Sequence, residues 1–170
     1  MAQPESLMSR GRAEDYSPDE ERPLRGYAGL MGAYAAIVAV VGLLGRRTGR
    51  LPDGINVGDL ALGGVAVHKA SRILARDPIT SPLRAPFTQL RGTSGPAELH
   101  EEVTGRGWRK AVGELVTCPF CLGQWLATAY VFGLAFAPRL TRAVAATFAI
   151  HAGSDALQFA YSRLEDAQPR

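Results

Sequence analysis

The sequence predicts an all-α integral membrane protein, a bundle of about four transmembrane helices with a polar cytoplasmic middle segment. The mean hydropathy of the 170-residue chain is close to zero, but its apolar residues are concentrated in long runs that polar segments separate. One run has no charged residue over about 20 positions, enough for a helix to cross the ~30 Å hydrocarbon core of a bilayer. Arg and Lys are unevenly distributed between the segments that join the runs, as in multi-pass membrane proteins.

Length and charge limit the domain count and the partners. A chain of 170 residues is enough for one domain, and its net charge of +3 is mild. Several basic residues lie in or beside the apolar runs, which suits a membrane surface. The sequence contains no basic helix interleaved with aromatic residues and no phosphate-binding loop. We therefore expect the lipid bilayer as a partner and no nucleic acid.

Three regions follow from the polarity of the chain. Residues 1–25 are rich in Glu, Asp, Arg and Pro with little to bury, which predicts a disordered tail that is too acidic for a signal peptide. Residues 26–163 form the predicted helical membrane domain, and residues 164–170 form a short tail. The predicted spans lie near residues 26–45, 55–75, 115–137 and 143–161.

The first predicted span, Gly26 to Gly45, reads GYAGLMGAYAAIVAVVGLLG. Small residues recur on it at steps of three and four, namely Gly29, Gly32, Ala33 and Ala36. Such residues let helices approach closely in lipid, so they predict a packing face.

The second predicted span, residues 55–75, is apolar at first and half polar at its end. His68, Lys69 and Arg72 crowd its last turns. The stretch is either a span whose ionisable groups face the bundle or an amphipathic helix on the membrane surface, and we favour the span. The alternative without a functional role is that the side chains of Lys69 and Arg72 extend to the membrane–water interface.

The polar middle, residues 76–114, begins RDPITSPLRAPF. Asp77 precedes Pro78 and Ser81 precedes Pro82, which predicts two short helical turns. Residues 92–107 are predicted to form a loop with an acidic patch. The segment from Trp108 that leads into the cysteines is predicted to lie at the membrane interface.

The two cysteines of the chain lie in TCPFCLGQW, residues 117–125. Proline favours the first helical position, which places Cys118 at the helix cap and Cys121 at the third position. Free N–H groups at a helix start favour a thiolate. Three interpretations stay open: simple packing, a redox dithiol, or a metal or dimer-bridging site. A single CxxC supplies two of the four ligands of structural zinc, so zinc would be shared between protomers or completed by His68 or His151.

The fourth predicted span carries a polar stripe of His151, Ser154, Asp155 and Gln158 at helical spacing. Polar stripes in membrane helices point at other helices, either for function or as hydrogen-bonding contacts.

With four spans, the excess of Arg and Lys in the tail and the middle predicts that both termini are cytoplasmic. His68 lies eight residues before Arg76, and Asp155 lies eight before Arg163, so both lie about 12 Å from the cytoplasmic end. A charge in lipid needs a partner, so we predict that Asp155 contacts the turn from His68 to Arg72. The predicted polar cluster on the cytoplasmic half comprises His68, Lys69, Arg72, Gln124, His151 and Asp155.

Three stretches, DPITSPLRAPF, AVGELVTCPFCLGQW and SDALQ, resemble a family of small bacterial integral membrane proteins. The family is known as domain of unknown function thirteen-sixty, and some of its members are described as sporulation membrane proteins. The likeness covers about residues 56–161. The residues that match the family pattern are Asp77, Arg84, Cys118, Cys121 and Trp125. The resemblance implies a membrane location and no established reaction.

Taken together, these observations favour a protein of the bacterial cytoplasmic membrane that assembles with itself or with a membrane partner, and not an enzyme. The alternative is a membrane thiol-redox or metal-binding protein that uses the CPFC pair. A small transporter, suggested by Asp155 and Lys69, is the least favoured because no broken-helix repeat is present.

Overall fold

The structure, a computed structural model, describes residues 22–51 and 54–167 together with Tyr16. Most of the predicted disordered tail therefore lies outside the described residues. The elements in chain order are α1 (Leu24–Arg47), α2 (Val57–Arg76), a 3-10 turn (Pro78–Thr80), α3 (Ser81–Arg84), β1 (Thr88–Gly95), β2 (Glu98–Val103), α4 (Trp108–Thr117), α5 (Pro119–Phe136) and α6 (Pro138–Asp166). The last helix extends into residues 164–166, which the sequence assigned to a tail.

Helix α2 lies at the centre of the bundle and packs on both α5 and α6. Asp59 contacts Arg142, and Lys69 contacts Asp155, so α2 and α6 run in the same direction. Tyr130 of α5 also reaches Asp59, and α5 runs in the opposite direction. Helix α1 packs on α4 and α5. The start of α1, the end of α2 and the start of α5 therefore share one end of the bundle, with the hairpin, α3 and α4.

Small residues on α2 let the central helices approach closely. Gly63, Ala66 and Ala70 are buried along one face of α2. A Cβ atom added at Gly63 would lie 2.4 Å from Cε1 of Tyr130. The Tyr130 ring therefore fills the space that a side chain at position 63 would need. This is the close small-residue packing that membrane helices use.

The predicted small-residue face of α1 does not make such a contact. A Cβ atom added at Gly29 or Gly32 would meet no atom of the described residues within 4 Å. Helix α1 contacts α5 through Tyr34 instead, and glycines at its two ends lie close to other segments. There a Cβ on Gly26 would lie 2.6 Å from Ala111 of α4, and Gly45 is buried against Leu51.

A β-hairpin occupies the segment that was predicted as a loop, which corrects the all-α prediction. Strands β1 and β2 pair antiparallel from Thr88 opposite Val103 to Gly95 opposite Glu98, with two register shifts. The sequence predicted a loop over residues 92–107 with an acidic patch that includes Glu98, Glu101 and Glu102. In the structure these glutamates pair with arginines, and Val103 packs against Gly113 of α4. A two-stranded sheet of this kind depends on such packing for its stability.

The two short turns predicted from Asp77-Pro78 and Ser81-Pro82 are confirmed as the 3-10 turn and α3. The predicted span at residues 115–137 is divided in the structure. Helix α4 ends at Thr117, and α5 begins after Cys118, whose backbone is extended.

Two helices, α1 and α5, are long and apolar enough to cross a membrane by length and composition. Helices α2 and α6 carry more polar and ionisable residues and do not meet the same criterion. The structure therefore confirms a mostly helical protein with two candidate membrane-spanning helices, and the four-span bundle stays a prediction.

Candidate functional site

The CPFC segment forms the cap of α5. Cys118 is the N-cap residue, Pro119 is the first helical residue, and the backbone N–H of Cys121 donates to Sγ of Cys118 at 3.2 Å. The predicted positions of the three residues are therefore confirmed. Both thiols are free, Cys118 is half-buried, and Cys121 is exposed beside Phe120, whose exposed fraction is 92%.

The hydrogen bond from the Cys121 N–H fixes the Cys118 sulfur at the N-terminus of α5, next to the exposed Cys121. The described ranges contain no group of three or more His, Cys, Asp or Glu side chains that could hold a metal ion. His68 and His151 therefore do not complete a site with the cysteines. A zinc ion at Cys118 and Cys121 would take its other ligands from another chain or from residues outside the described ranges.

The predicted contact between Asp155 and the turn of α2 is present. Nζ of Lys69 donates to Oδ2 of Asp155 at 2.5 Å. Nε2 of His151, one turn earlier on α6, lies 3.6 Å from the other carboxylate oxygen of Asp155. The Lys69 side chain is 12% exposed and the Asp155 side chain 33%, so the pair is largely shielded by α2 and α6.

The other members of the predicted polar cluster lie elsewhere. Arg72 forms an ion pair with Glu98 of the hairpin, and His68 is exposed. Gln124 donates from Nε2 to the hydroxyl of Tyr34 at 2.7 Å, which joins α5 to α1. The predicted cluster is therefore three separate contacts, because helices α2 and α5 present these side chains to different neighbours.

Trp125, a residue of the family pattern, packs on the same tyrosine. The ring centroids of Tyr34 and Trp125 lie 5.2 Å apart at an interplanar angle of 71°. The Tyr34 hydroxyl also lies 2.7 Å from Oγ1 of Thr128. These contacts fasten α1 to α5 just beyond the cysteines.

Arg84, a second residue of the family pattern, is fully buried and binds three segments of the chain. Its Nη1 donates to the carbonyl of Leu74 at 2.8 Å and to the hydroxyl of Thr80 at 2.7 Å, and its Nη2 donates to the carbonyl of Asp77 at 3.0 Å. Its Nε donates to the Glu101 carboxylate on β2. We call this set the Arg84 clasp. It caps the last carbonyls of α2 and holds the hairpin against them.

Asp77 contributes its backbone carbonyl to the clasp. Thr80 adds a hydrogen bond from its hydroxyl to the carbonyl of Ile73 at 2.5 Å. The Asp-Pro-Ile-Thr stretch is therefore a turn that the arginine organises. The arrangement uses the side chain of Thr80 and the backbone carbonyl of Asp77, and it points to a structural role for the turn.

Sequence reasoning missed a second ion pair, at the opposite end of the bundle. Arg142 of α6 donates from Nε and Nη2 to the two carboxylate oxygens of Asp59, each at 2.8 Å. Asn56 and the hydroxyl of Tyr130 also bind Asp59, through its side chain and its carbonyl. The sequence contains a signal for this pair, because Asp59 and Arg142 lie near the starts of two helices that the predicted topology places at the same end of the bundle.

An apolar groove of about 310 Å³ lies between the two ion pairs, where α2, α5 and α6 meet. Its lining includes Ala66 and Ala70 from α2, Leu126 from α5, and Val144 and Phe148 from α6. The bundle therefore has a largely apolar middle between two polar contacts.

Comparison with known proteins gives one family and one relative. A family model described as "Protein of unknown function (DUF1360)" matches residues 62–161, more than half of the chain. The sporulation protein YjcA of Bacillus subtilis (strain 168) is 34% identical over 76 residues. That alignment covers 43% of this chain and 64% of the relative, so the chain spans just under two thirds of that relative's length. No solved structure matches the chain. The matched region holds the Arg84 clasp, the cysteines and the Lys69–Asp155 pair, and the resemblance drawn from the motifs is confirmed.

Proposed function

Because the chain belongs to the DUF1360 family of proteins of unknown function, we propose that it is a non-enzymatic integral membrane protein that assembles with itself or a partner. Four helices, α1, α2, α5 and α6, span the cytoplasmic membrane in this proposal. The hairpin, α3 and α4 lie on the cytoplasmic side with both termini. Its setting is the bacterial envelope or spore development, which the name of the relative suggests.

The observation that carries this proposal is the distribution of polar and apolar groups on the long helices. Lys69 pairs with Asp155 and Arg142 with Asp59 across α2 and α6, as ionisable groups in membrane helices do. Large apolar side chains point outward, with Met31 of α1 72% exposed and Ile150 of α6 74% exposed. A protein in water rarely exposes so much apolar surface, whereas lipid covers it without cost.

Membrane extraction tests the insertion. We expect the full chain in the membrane fraction of an expressing bacterium, resistant to alkaline carbonate and released by detergent. Release by carbonate or recovery in the soluble fraction would contradict it. The proposed setting has its own test: a fluorescent fusion in sporulating cells should concentrate at the membranes around the forming spore. An even distribution along the cell membrane would contradict a role in spore development.

A second candidate function, thiol redox chemistry at the membrane surface, is favoured by the hydrogen bond from the Cys121 N–H to Cys118. In this alternative Cys118 and Cys121 form an internal disulfide by passing two electrons and two protons to the disulfide of an external thiol–disulfide partner, and the reverse exchange with a dithiol reduces them again. Alkylation of the purified protein should then depend on prior reduction, and both single Cys→Ser variants should abolish that dependence. Metal that co-purifies and is lost in Cys118→Ser would instead support a shared metal site. Unchanged thiol state, metal content and oligomer size in both variants would leave the cysteines as packing residues.

A further inference from the structure

The turn that follows α2 has an inverted distribution of polar and apolar side chains. Residues 78–86 comprise the 3-10 turn, α3 and the two residues after α3, and we call them the proline turn. The polar residues in it, Thr80, Ser81 and Arg84, are buried or half-buried. Every exposed residue of the turn is apolar, namely Pro78, Ile79, Pro82, Leu83, Ala85 and Pro86. Ile79 is 81% exposed and Leu83 is 63% exposed.

A turn in water is expected to have the opposite arrangement, with polar side chains outward and large apolar side chains inward. Exposed apolar surface of this kind marks contact with a membrane or with another protein. The Arg84 clasp binds Thr80 and the carbonyl of Asp77, so it fixes the turn that carries Ile79 and Leu83. The apolar face of the proline turn is therefore held in place by the fold.

The backbone of the proline turn is suited to lipid. A peptide group that enters a membrane must find its hydrogen-bond partners within the protein. The three prolines of the turn have no N–H that needs a partner. Carbonyls in and beside the turn accept hydrogen bonds from the chain, namely those of Asp77, Pro78, Ser81, Arg84 and Pro86. These peptide groups can therefore enter an apolar medium already paired.

Two neighbours place the proline turn at the depth where the proposed spans end. The turn follows directly after Arg76, the last residue of α2. On its other side Phe87 contacts Trp108, with ring centroids 6.4 Å apart. Trp108 lies beside the start of α1, since a Cβ atom added at Gly26 would be 3.4 Å from the Cα atom of Trp108. Tryptophan is enriched at the membrane–water interface, so this contact favours the same depth for the turn.

We propose that the proline turn is buried in the cytoplasmic interface of the membrane, with Ile79 and Leu83 among the lipid acyl chains. The inference rests on the proposed membrane insertion, which brings α2 into the bilayer. Removing these two large side chains from water favours the contact. Between Arg72 and Lys110 the sequence has seven basic and four acidic residues. This excess of positive charge is attracted to the anionic lipids of the cytoplasmic leaflet.

Fluorescence quenching in liposomes tests the proposal. In the full chain with Cys118→Ser and Cys121→Ser, a fluorophore is attached at Ile79→Cys or Leu83→Cys, and the purified protein is reconstituted in phospholipid vesicles. The matched control is Thr93→Cys, at an exposed polar position of β1. We expect a phospholipid that is spin-labelled on its acyl chain to quench both turn positions at least threefold more strongly than Thr93→Cys. Iodide in the water should quench Thr93→Cys more strongly than either turn position.

A fourth position, Met31→Cys, separates this proposal from the membrane insertion on which it rests. Met31 is 72% exposed within the candidate span α1, so lipid should quench a fluorophore there in any inserted protein. Lipid quenching at Met31, with iodide quenching at Ile79 and Leu83 as strong as at Thr93, would refute the burial of the proline turn alone. Its apolar face would then be left for a protein partner. Absence of lipid quenching at Met31 and at both turn positions would refute the membrane insertion as well.

Discussion

Arg84 shows how one buried side chain determines the shape of the polar end. Its guanidinium is fully buried and meets four acceptors, including the Glu101 carboxylate, whose side chain is 6% exposed. The planar guanidinium of arginine can donate hydrogen bonds to several acceptors in fixed directions at once, whereas the ammonium of lysine cannot. We therefore expect the clasp to require arginine itself.

Replacement of Arg84 tests the clasp. Arg84→Ala leaves Glu101 buried without its partner, and the loss of one member of such a pair costs about 3–5 kcal/mol. Arg84→Lys should recover little of this lost stability. The measurement is thermal unfolding of the purified protein in detergent. Arg91→Ala is the control, since its pair with Glu102 is exposed on both sides and such pairs contribute about 0–1 kcal/mol. Equal destabilisation by both alanine variants would contradict the account.

The Lys69–Asp155 pair gives a second prediction at this scale. Lys69→Met should destabilise the protein because it leaves the Asp155 carboxylate shielded between α2 and α6 with only the weak His151 contact. The double variant with Asp155→Leu should recover most of the loss, since replacing both members of a buried pair by apolar residues is often neutral. The free energy of unfolding of the four proteins in this mutant cycle measures the coupling. Additive effects would show that the two side chains do not interact.

At the scale of elements, the close packing of α2 and α5 depends on the absence of a side chain at Gly63. Gly63→Ala should destabilise the bundle by about 1–3 kcal/mol, as overpacking commonly does. Gly64→Ala is the matched control, because a Cβ atom there meets nothing within 4 Å in the described residues. Alanine is favoured over glycine in a helix, so this control should be neutral or slightly stabilising. A stable Gly63→Ala protein would contradict the packing described for α2.

The sequence allowed prediction of those elements whose signals are local. Apolar length predicted α1, proline position predicted the start of α5 at Pro119, and the two X-Pro pairs predicted the short turns. The Asp155–Lys69 contact followed from counting residues from each helix end. The hairpin was missed because arginines distant in sequence, Arg72 and Arg84, pair with its glutamates. Long-range pairing of this kind leaves no local period.

The Asp59–Arg142 pair was missed for a related reason. Asp59 and Arg142 are 83 residues apart, so no local pattern joins them. The helix order already placed both at one end of the bundle. The small residues of α1 predicted a packing face that is not used in the structure. Their spacing allows close packing but does not specify a partner helix.

At the scale of the whole molecule, the bundle has two different ends. The end with the hairpin holds the Arg84 clasp, the cysteines and the beginning of α1. The other end holds Asp59 and Arg142, with Arg46 and Arg47 at the end of α1. Both ends carry arginine, so the charge asymmetry alone orients the protein only weakly. The membrane insertion and the orientation together form the central claim.

Reporter fusions after Gly49 and Gly95 test this claim most directly. Gly49 follows α1, and Gly95 ends β1 in the hairpin. Fused after Gly95, a fluorescent protein that matures only in the cytoplasm should be bright, and a phosphatase active only outside should be silent. Fused after Gly49, the two reporters should give the reverse result. Phosphatase activity after Gly95, or cytoplasmic fluorescence at both positions, would contradict the proposed four-span topology.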